Sequence, residues 1–292
     1  MKNKIFMLLL LGAMLLTACD DEAPMERSLY PETVYLVCAK DKIITRELNL
    51  GYDQDTVYAS VAVSGTLPTE KNVIAEVEQI PEAILRYNDR ELGTNDVLYQ
   101  NLPADIYSIP DPAVTVPAGE PYGTLPIYIE PATLHVDSLY MIALKLKSTS
   151  DLALTKTDTV VLMKFNIVND YSGLYYMDAI IKDVANPSDS VTYKTSRNLQ
   201  AVRDGRTVRM YHMQNEWSKG ATDYRPNYCF NITVNDDNTV SLSTWDKFKI
   251  LGYEGVYHPD MRVYELWYKF EENGVTKTCR GFLYKERKTD DE

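Results

Sequence analysis

The chain has 292 residues, enough for two domains of ordinary size, and 42 acidic against 30 basic residues give a formal net charge of −12. So acidic a surface repels phosphate backbones, which argues against a nucleic-acid partner. Twenty-two tyrosines and three tryptophans stand against six phenylalanines, a bias toward amphipathic aromatics that favours strands and wet binding surfaces.

In chain order, Met1-Lys2-Asn3-Lys4 is followed by an apolar run from Ile5 to Leu16, broken only by Gly12, and then by Leu16-Thr17-Ala18-Cys19. A basic start, a short apolar core and small residues before a cleavage point describe a signal peptide over residues 1–18. It is too short to cross a bilayer of about 30 Å as a helix. Leu-Thr-Ala-Cys resembles the bacterial lipobox, which implies lipidation at Cys19. No later stretch is long and apolar enough to span a membrane, so the acyl chains are expected to anchor the protein, each buried CH₂ contributing about 0.8 kcal/mol. Losing residues 1–18 removes Lys2 and Lys4 and leaves 28 basic against 42 acidic residues, a balance of −14. Asp20-Asp21-Glu22 opens an acidic tether over residues 19–30 that resembles the export signal of Bacteroidetes surface lipoproteins. The expected location is the outer membrane, lipid-anchored and facing the cell exterior.

Residues 31–168 alternate apolar and polar positions in short runs at 34–38, 43–50, 56–63, 73–79, 113–116, 123–129, 139–147 and 159–167. Pro126 demotes the run at 123–129 to an edge or irregular strand. Pro81 followed by Glu82 starts one short helix that stops near Gly93. Strands at this spacing predict an immunoglobulin-like antiparallel sandwich. Asn169-Asp170-Tyr171-Ser172-Gly173 is a polar turn cluster marking a boundary. Over residues 169–285, strands are predicted at 174–182, 190–195, 198–203, 207–213, 228–234, 239–244, 263–270 and 276–284. Asp204-Gly205 and Asn273-Gly274 are hairpin signals between them. The expected fold is all-β, the second domain being an antiparallel barrel or sandwich, with a charged tail at 286–292.

Asn101-Leu102-Pro103-Ala104-Asp105-Ile106-Tyr107, Val114-Thr115-Val116-Pro117-Ala118-Gly119-Glu120, the run 139–146 and Asn169-Asp170-Tyr171-Ser172-Gly173-Leu174-Tyr175 carry a resemblance over nearly all of the mature chain. They resemble Bacteroidetes surface lipoproteins of the polysaccharide-utilisation type. These have an N-terminal immunoglobulin-like domain of unknown function, found also before the catalytic barrel of certain endo-β-N-acetylglucosaminidases, and a β-rich C-terminal domain. The resemblance implies glycan capture or surface adhesion, with outer-membrane glycan-uptake proteins as partners. Its motifs mark fold elements and carry over no ligand residues.

The sequence lacks a glycine-rich phosphate cradle, a His-Glu-x-x-His motif and a Gly-x-Ser-x-Gly elbow, so we read it as non-enzymatic and without a cofactor. Cys38, Cys229 and Cys279 form no Cys-x-x-Cys pair, and His135, His212 and His258 are far apart, so no metal site is expected. Cys229 and Cys279 are candidates for a disulfide, which leaves Cys38 as a buried small hydrophobe. Glycan sites stack flat aromatics on the apolar faces of sugar rings. In the run 263–270, alternation puts Trp267 with Val263, Glu265 and Lys269 on one face and Tyr264, Leu266, Tyr268 and Phe270 on the other. Trp217 sits in a polar loop that Tyr224 and Arg225 continue, Tyr253 and Tyr257 decorate another loop, and Trp245 follows a strand whose inner face is Val240 and Leu242. These seven residues are the candidate ligand contacts. All three tryptophans lie beyond residue 170, so the second domain is expected to bind and the first to act as a spacer. The alternative is an adhesion or scaffolding protein with a protein partner, which a broad apolar patch without aromatic platforms would favour.

Overall fold

A computed structural model describes residues 30–39, 43–212 and 223–285. The first eleven strands are β1 Thr33–Leu36, β2 Ile43–Asn49, β3 Asp55–Val63, β4 Val73–Gln79, β5 Tyr99–Asn101, β6 Tyr107–Ser108, β7 Ala113–Val116, β8 Tyr122–Ile129, β9 Leu139–Thr149, β10 Ala153–Leu154 and β11 Val160–Val168. They form two facing sheets, ordered β10-β1-β3-β8-β6 and β2-β11-β9-β4-β7, with β5 added beside β9. Period-two alternation builds the core between them: Val57, Ala59 and Val61 from β3 and Leu125, Ile127 and Ile129 from β8 meet Ile142, Leu144 and Leu146 from β9. Strand β9 is buried on both faces because helix α1 (Glu82–Glu91) packs Ala83 and Ile84 over Met141 and Ala143. Pro126 lies where β8 has a neighbour only on the β3 side, since β6 pairs only with Tyr128 and Ile129. A missing N–H is tolerated there.

The second domain comprises β12 Gly173–Asp183, β13 Ser190–Ala201, β14 Thr207–Tyr211, the single-turn helix α2 Arg225–Tyr228, then β15 Cys229–Val234, β16 Val240–Thr244, β17 Ile250–His258, β18 Val263–Glu272 and β19 Val275–Tyr284. They form one antiparallel sheet ordered β16-β15-β14-β13-β12-β19-β18-β17. The sheet curls until its two edges meet at a Thr239–Val256 bridge, beside which the Tyr257 N–H donates to the Asn238 carbonyl at 2.8 Å. Of the two expected forms it takes the barrel. Asn273 and Gly274, both at positive φ (53° and 76°), form the β18–β19 hairpin turn that the Asn-Gly pair predicts.

The lumen is filled with rings: Phe230 and Phe248 stack at 5.6 Å, Phe248 and Phe270 at 5.4 Å, and Tyr268 lies 5.0 Å from Phe230. Buried His212 sits among them, 4.5 Å from Phe270.

Four expectations change. The runs 190–195 and 198–203 are one strand, β13, and the segment read as a loop around Tyr253 and Tyr257 is β17. Cys229 and Cys279 are both buried free thiols, not a disulfide. Phe230, Ile232 and Val234 fill the lumen, so Cys229 points out of the barrel, whereas Cys279 points in beside Tyr268. Three strands separate β15 from β19, so no bridge can form. Cys38 is exposed, at φ 65° in the turn after β1, and is not a core residue.

The sandwich ends at Val168 and the barrel starts at Gly173. Between them the Asn169 side chain donates to the carbonyls of Asp204 (3.1 Å) and Thr207 (2.9 Å), and its amide oxygen accepts from the Tyr171 N–H at 3.1 Å. The turn cluster is thus clamped to the β13–β14 hairpin. Gly205 of that hairpin lies against Gly51 of the sandwich so closely that a Cβ on Gly205 would stand 2.5 Å from the Gly51 Cα.

Candidate functional site

Two groups of aromatic side chains lie on the outside of the barrel. Tyr264, Leu266, Tyr268 and Phe270 of β18 are all buried in the lumen, so alternation turns Trp267 outward, where the sequence left its face as either the outer or the lumen side. Its ring leans over Gly252 of β17, 3.8 Å from where a Cβ would stand there. Cross-strand register sets its neighbours. Trp267 lies opposite Glu254 on β17 and Arg280 on β19; the next row holds Val256, Glu265, Phe282 and Asp178; the third holds Val263, Tyr284 and Tyr176. Phe282 is 47% exposed and Tyr284 37%, and Tyr176 and Tyr284 stack at 6.0 Å. Trp267, Arg280, Glu254 and Glu265 line a shallow cleft of about 180 Å³. From β18 to β12 this face spans two strand spacings, about 10 Å. It offers flat apolar rings with carboxylates and a guanidinium among them.

The second group lies at the seam between domains. Arg209 of β14, 3% exposed, points outward and stacks its guanidinium 4.1 Å from the centre of the Trp245 ring. The same guanidinium donates to both oxygens of Asp137 in the sandwich and to the Gln200 Oε1 at 2.6 Å. Arg225 of α2 reaches Asp137 at 2.8 Å and holds Asp223 with two further donors at 3.0 Å. Gln200 closes the set by donating to the Val136 carbonyl at 3.0 Å. Burial pushes the Asp137 carboxyl up, and the Arg209 hydrogen bond with the charges of Arg209 and Arg225 more than reverses this, holding it below the ordinary range. Asp223 is lowered chiefly by its hydrogen bond to Arg225. Beside this ladder Trp245, Asn231 and residues 134–137 enclose a cleft of about 290 Å³.

The candidate residues therefore separate. Trp267 joins the outer wall, while Trp245 and Arg225 join the seam, with Tyr224 next to Arg225 and 51% exposed. Tyr253 is 44% exposed on β17. Tyr257 is largely buried, 5.1 Å from Tyr171 and 4.7 Å from Tyr264 at the barrel end next to the 169–173 turn, where it also lines a cleft with Asp170 and Arg262. Trp217 lies outside the described residues, as does Cys19. Tyr176, Phe282 and Tyr284 were not singled out from the sequence. Alternation along 276–284 marks Phe282 as outward, but only the pairing of β19 with both β12 and β18 brings these rings together. Among the described residues no cluster of His, Cys, Asp and Glu could hold a metal, and no helix is long and apolar enough to cross a membrane.

Two paired family models match the chain, an N-terminal domain over residues 30–153 and a C-terminal domain over residues 159–284, the latter including β11. No curated protein matches. A Bacteroides ovatus crystal structure of unknown function is 17% identical with a TM-score of 0.60, covering 86% of this chain and 93% of its own. A second, from the same species and described as a multidomain protein including DUF1735, is 16% identical with a TM-score of 0.58, covering 83% and 89%. An auxiliary nutrient binding protein from Bacteroides thetaiotaomicron is 15% identical with a TM-score of 0.56, covering 84% and 91%. These neighbours share the fold. With an immunoglobulin-like sandwich matching the one model and a β-rich second domain matching the other, the chain carries both of the paired domains that those models describe, in that order.

Proposed function

We propose that this protein is a non-enzymatic glycan-binding protein and that the outer wall of its barrel is the binding surface. The observation that carries this is the set of outward rings on three adjacent strands, Trp267, Phe282, Tyr284 and Tyr176, interleaved with Glu265, Arg280 and Asp178. Sugar rings offer apolar faces edged by hydroxyls, and this wall offers flat rings edged by donors and acceptors. Covering one ring face removes on the order of 80 Å² from water, about 2 kcal/mol gross. Association costs exceed that, so several rings must act together, and affinity between about micromolar and millimolar is expected. The likeness to an auxiliary nutrient binding protein supports the reading.

The test is a glycan array followed by calorimetry on the mature chain. Trp267→Ala and Phe282→Ala should each weaken a confirmed glycan about tenfold, with the melting temperature kept. Binding unaffected by both together would reject this wall. A protein partner is the second reading, favoured by the exposed aliphatic side chains of Leu174, Ile180 and Val256 around the rings. Anchoring through a lipid on Cys19, at the outer membrane and facing the exterior, belongs to the same proposal. It rests on the signal-peptide and lipobox pattern, and a Cys19→Ser protein still wholly in the membrane fraction would refute it.

A further inference from the structure

We infer that the outer face of the sandwich sheet holding β1, β3 and β8 is a second binding surface, taking a stretch of uncharged glycan laid along the strands. It shares a ligand class with the barrel wall but no residue, and it belongs to the domain that the sequence marked as a spacer. Leu36 of β1, Val57 and Val61 of β3 and Leu125 and Ile127 of β8 fill the core. Alternation therefore turns Tyr35, Tyr58, Tyr122 and Tyr128 outward, and the outward positions among them hold only serine, threonine, alanine and proline. In a chain that is 25% charged, a solvated strand face normally carries ions. The other sheet of the sandwich does: Glu76 pairs with Lys147 at 3.3 Å and Glu78 with Lys145 at 3.4 Å. At the rim of the tyrosine face, Arg46 donates to the Tyr58 carbonyl at 3.3 Å, and Asp55 accepts from the backbone N–H groups of Asn49 and Thr56. Glu120 and Glu130 lie beyond the two ends of β8.

Register sets the relief of this face. Tyr35 and Tyr122 flank Ala62, so two rings about 10 Å apart stand on either side of a methyl group. Ser60 beside Thr124 forms the next row, then Tyr58 beside Pro126, then Thr56 beside Tyr128. The first row lies about 20 Å from the last. Tyr58 is 49% exposed and Tyr122 54%, so both rings are open to a ligand. Area, charge and chemistry together select the occupant. The face measures roughly 200 Å² between its outer strands. A stable protein interface needs about 800 Å² on each partner, so neither a second copy nor another protein is held by this face alone. Its outward side chains give a carboxylate or sulfate no cation, and the net charge of −12 repels such groups. Tyrosine rings cover the apolar faces of sugars, while serine, threonine and tyrosine hydroxyls donate and accept as sugar hydroxyls do. One ring contact cannot offset the cost of association, so affinity must rise with the length of the glycan.

Electrophoresis of the mature chain through gels containing a dissolved polysaccharide tests this. The probes are amylopectin, dextran, galactomannan and yeast mannan as uncharged chains, with polygalacturonate and alginate as acidic ones. Combining Trp267→Ala with Phe282→Ala removes the rings of the barrel wall, and at least one uncharged probe should still retard that variant. Adding Tyr58→Thr and Tyr122→Thr, which keep a strand-favouring residue at each position, should weaken the remaining affinity at least tenfold with the melting temperature kept. Oligosaccharides cut from the same probe should bind more tightly as they lengthen. If the Trp267→Ala and Phe282→Ala pair alone abolishes retardation, all binding belongs to the barrel; the sandwich surface is then overturned and the proposed function stands. If no probe retards the parent, both readings fail. Retardation unchanged by Tyr58→Thr and Tyr122→Thr rejects this face, and retardation by an acidic probe that those two substitutions remove rejects its uncharged ligand class. A dimer in sedimentation that Tyr58→Thr dissolves would make the face a contact between copies and end the glycan assignment.

Discussion

His212 places an imidazole where a charge has no partner. It is 1% exposed in a lumen of rings, donates its backbone N–H to the Tyr228 carbonyl at 2.7 Å and lies with its Nδ1 3.3 Å from the Tyr268 hydroxyl. Burial, helped by the charges of Arg197 and Lys277, pushes its pKa down from 6.5 to about 3. The unfolded chain therefore takes up a proton at His212 below pH 6.5 while the folded barrel does not. Stability must fall as pH drops through that window, by at most about 1.4 kcal/mol per pH unit from this group. Carboxylates add their own slope, so the measurement is the difference in urea stability between the parent and His212→Phe. That difference should shrink as pH falls from 6.5 toward 3, and a constant difference would reject a buried neutral imidazole. At this scale the sequence was legible wherever one strand sufficed: alternation alone separated Trp267 from the face of Tyr264, Leu266, Tyr268 and Phe270, and the closed barrel decided that its side is the outer one. It failed where two strands had to be compared, as with Cys229 and Cys279, which face opposite sides of one wall.

Strands were legible when alternation was clean and obscure when an edge blurred it. β17 escaped detection because Gly252 and Gly255 interrupt its pattern and Leu251, Tyr253 and Val256 are all exposed. Gly255 has a packing reason: a Cβ there would stand 3.0 Å from both Leu266 Cδ2 and Val240 Cβ, where β16 approaches to close the barrel. β13 was split in two at the polar residues Ser196 and Arg197, although Arg197 turns inward and is 3% exposed, donating to the Ser196 carbonyl at 2.8 Å. Gly281 gives the sharpest test of an element. It pairs with Ala179 on β12 and Leu266 on β18, between the wall residues Arg280 and Phe282. A Cβ at this position would lie 2.5 Å from the Asp178 carbonyl oxygen and 2.4 Å from the Ala179 Cβ. Gly281→Ala must push β12 and β19 apart, at a cost of roughly 1–3 kcal/mol. It should also weaken glycan binding by displacing Phe282. An unchanged melting temperature would show that the two strands have slack there.

At the scale of the whole molecule, the turn cluster at 169–173 marked the boundary, yet nothing in the sequence showed that the two domains are locked together. The lock depends on partners far apart in the chain, of which Asp137 with Arg209 is the most deeply placed, Arg209 being 3% exposed and the Asp137 side chain 22%. Removing one member of such a pair strands the other, and this usually costs more than the pair contributes. Asp137→Ala should therefore destabilise the protein by about 3 kcal/mol, somewhat softened by the Gln200 oxygen that Arg209 keeps. It should also free the domains to move, since Arg225 loses the same anchor. The pH dependence has a definite sign. The folded pKa of Asp137 is lowered, so its stabilisation is fully present above the ordinary carboxylate value of 3.8 and is lost as pH falls through the depressed one. Gly205→Val attacks the same seam without touching a charge, because its Cβ would collide with the Gly51 Cα. Small-angle scattering and limited proteolysis near residue 169 report the outcome: both variants should lengthen the molecule and speed cleavage. If Gly205→Val alone does so, shape complementarity holds the domains and the ion pair is incidental; if neither does, the clamp at Asn169 suffices, and the sandwich and barrel stay one body without either contact.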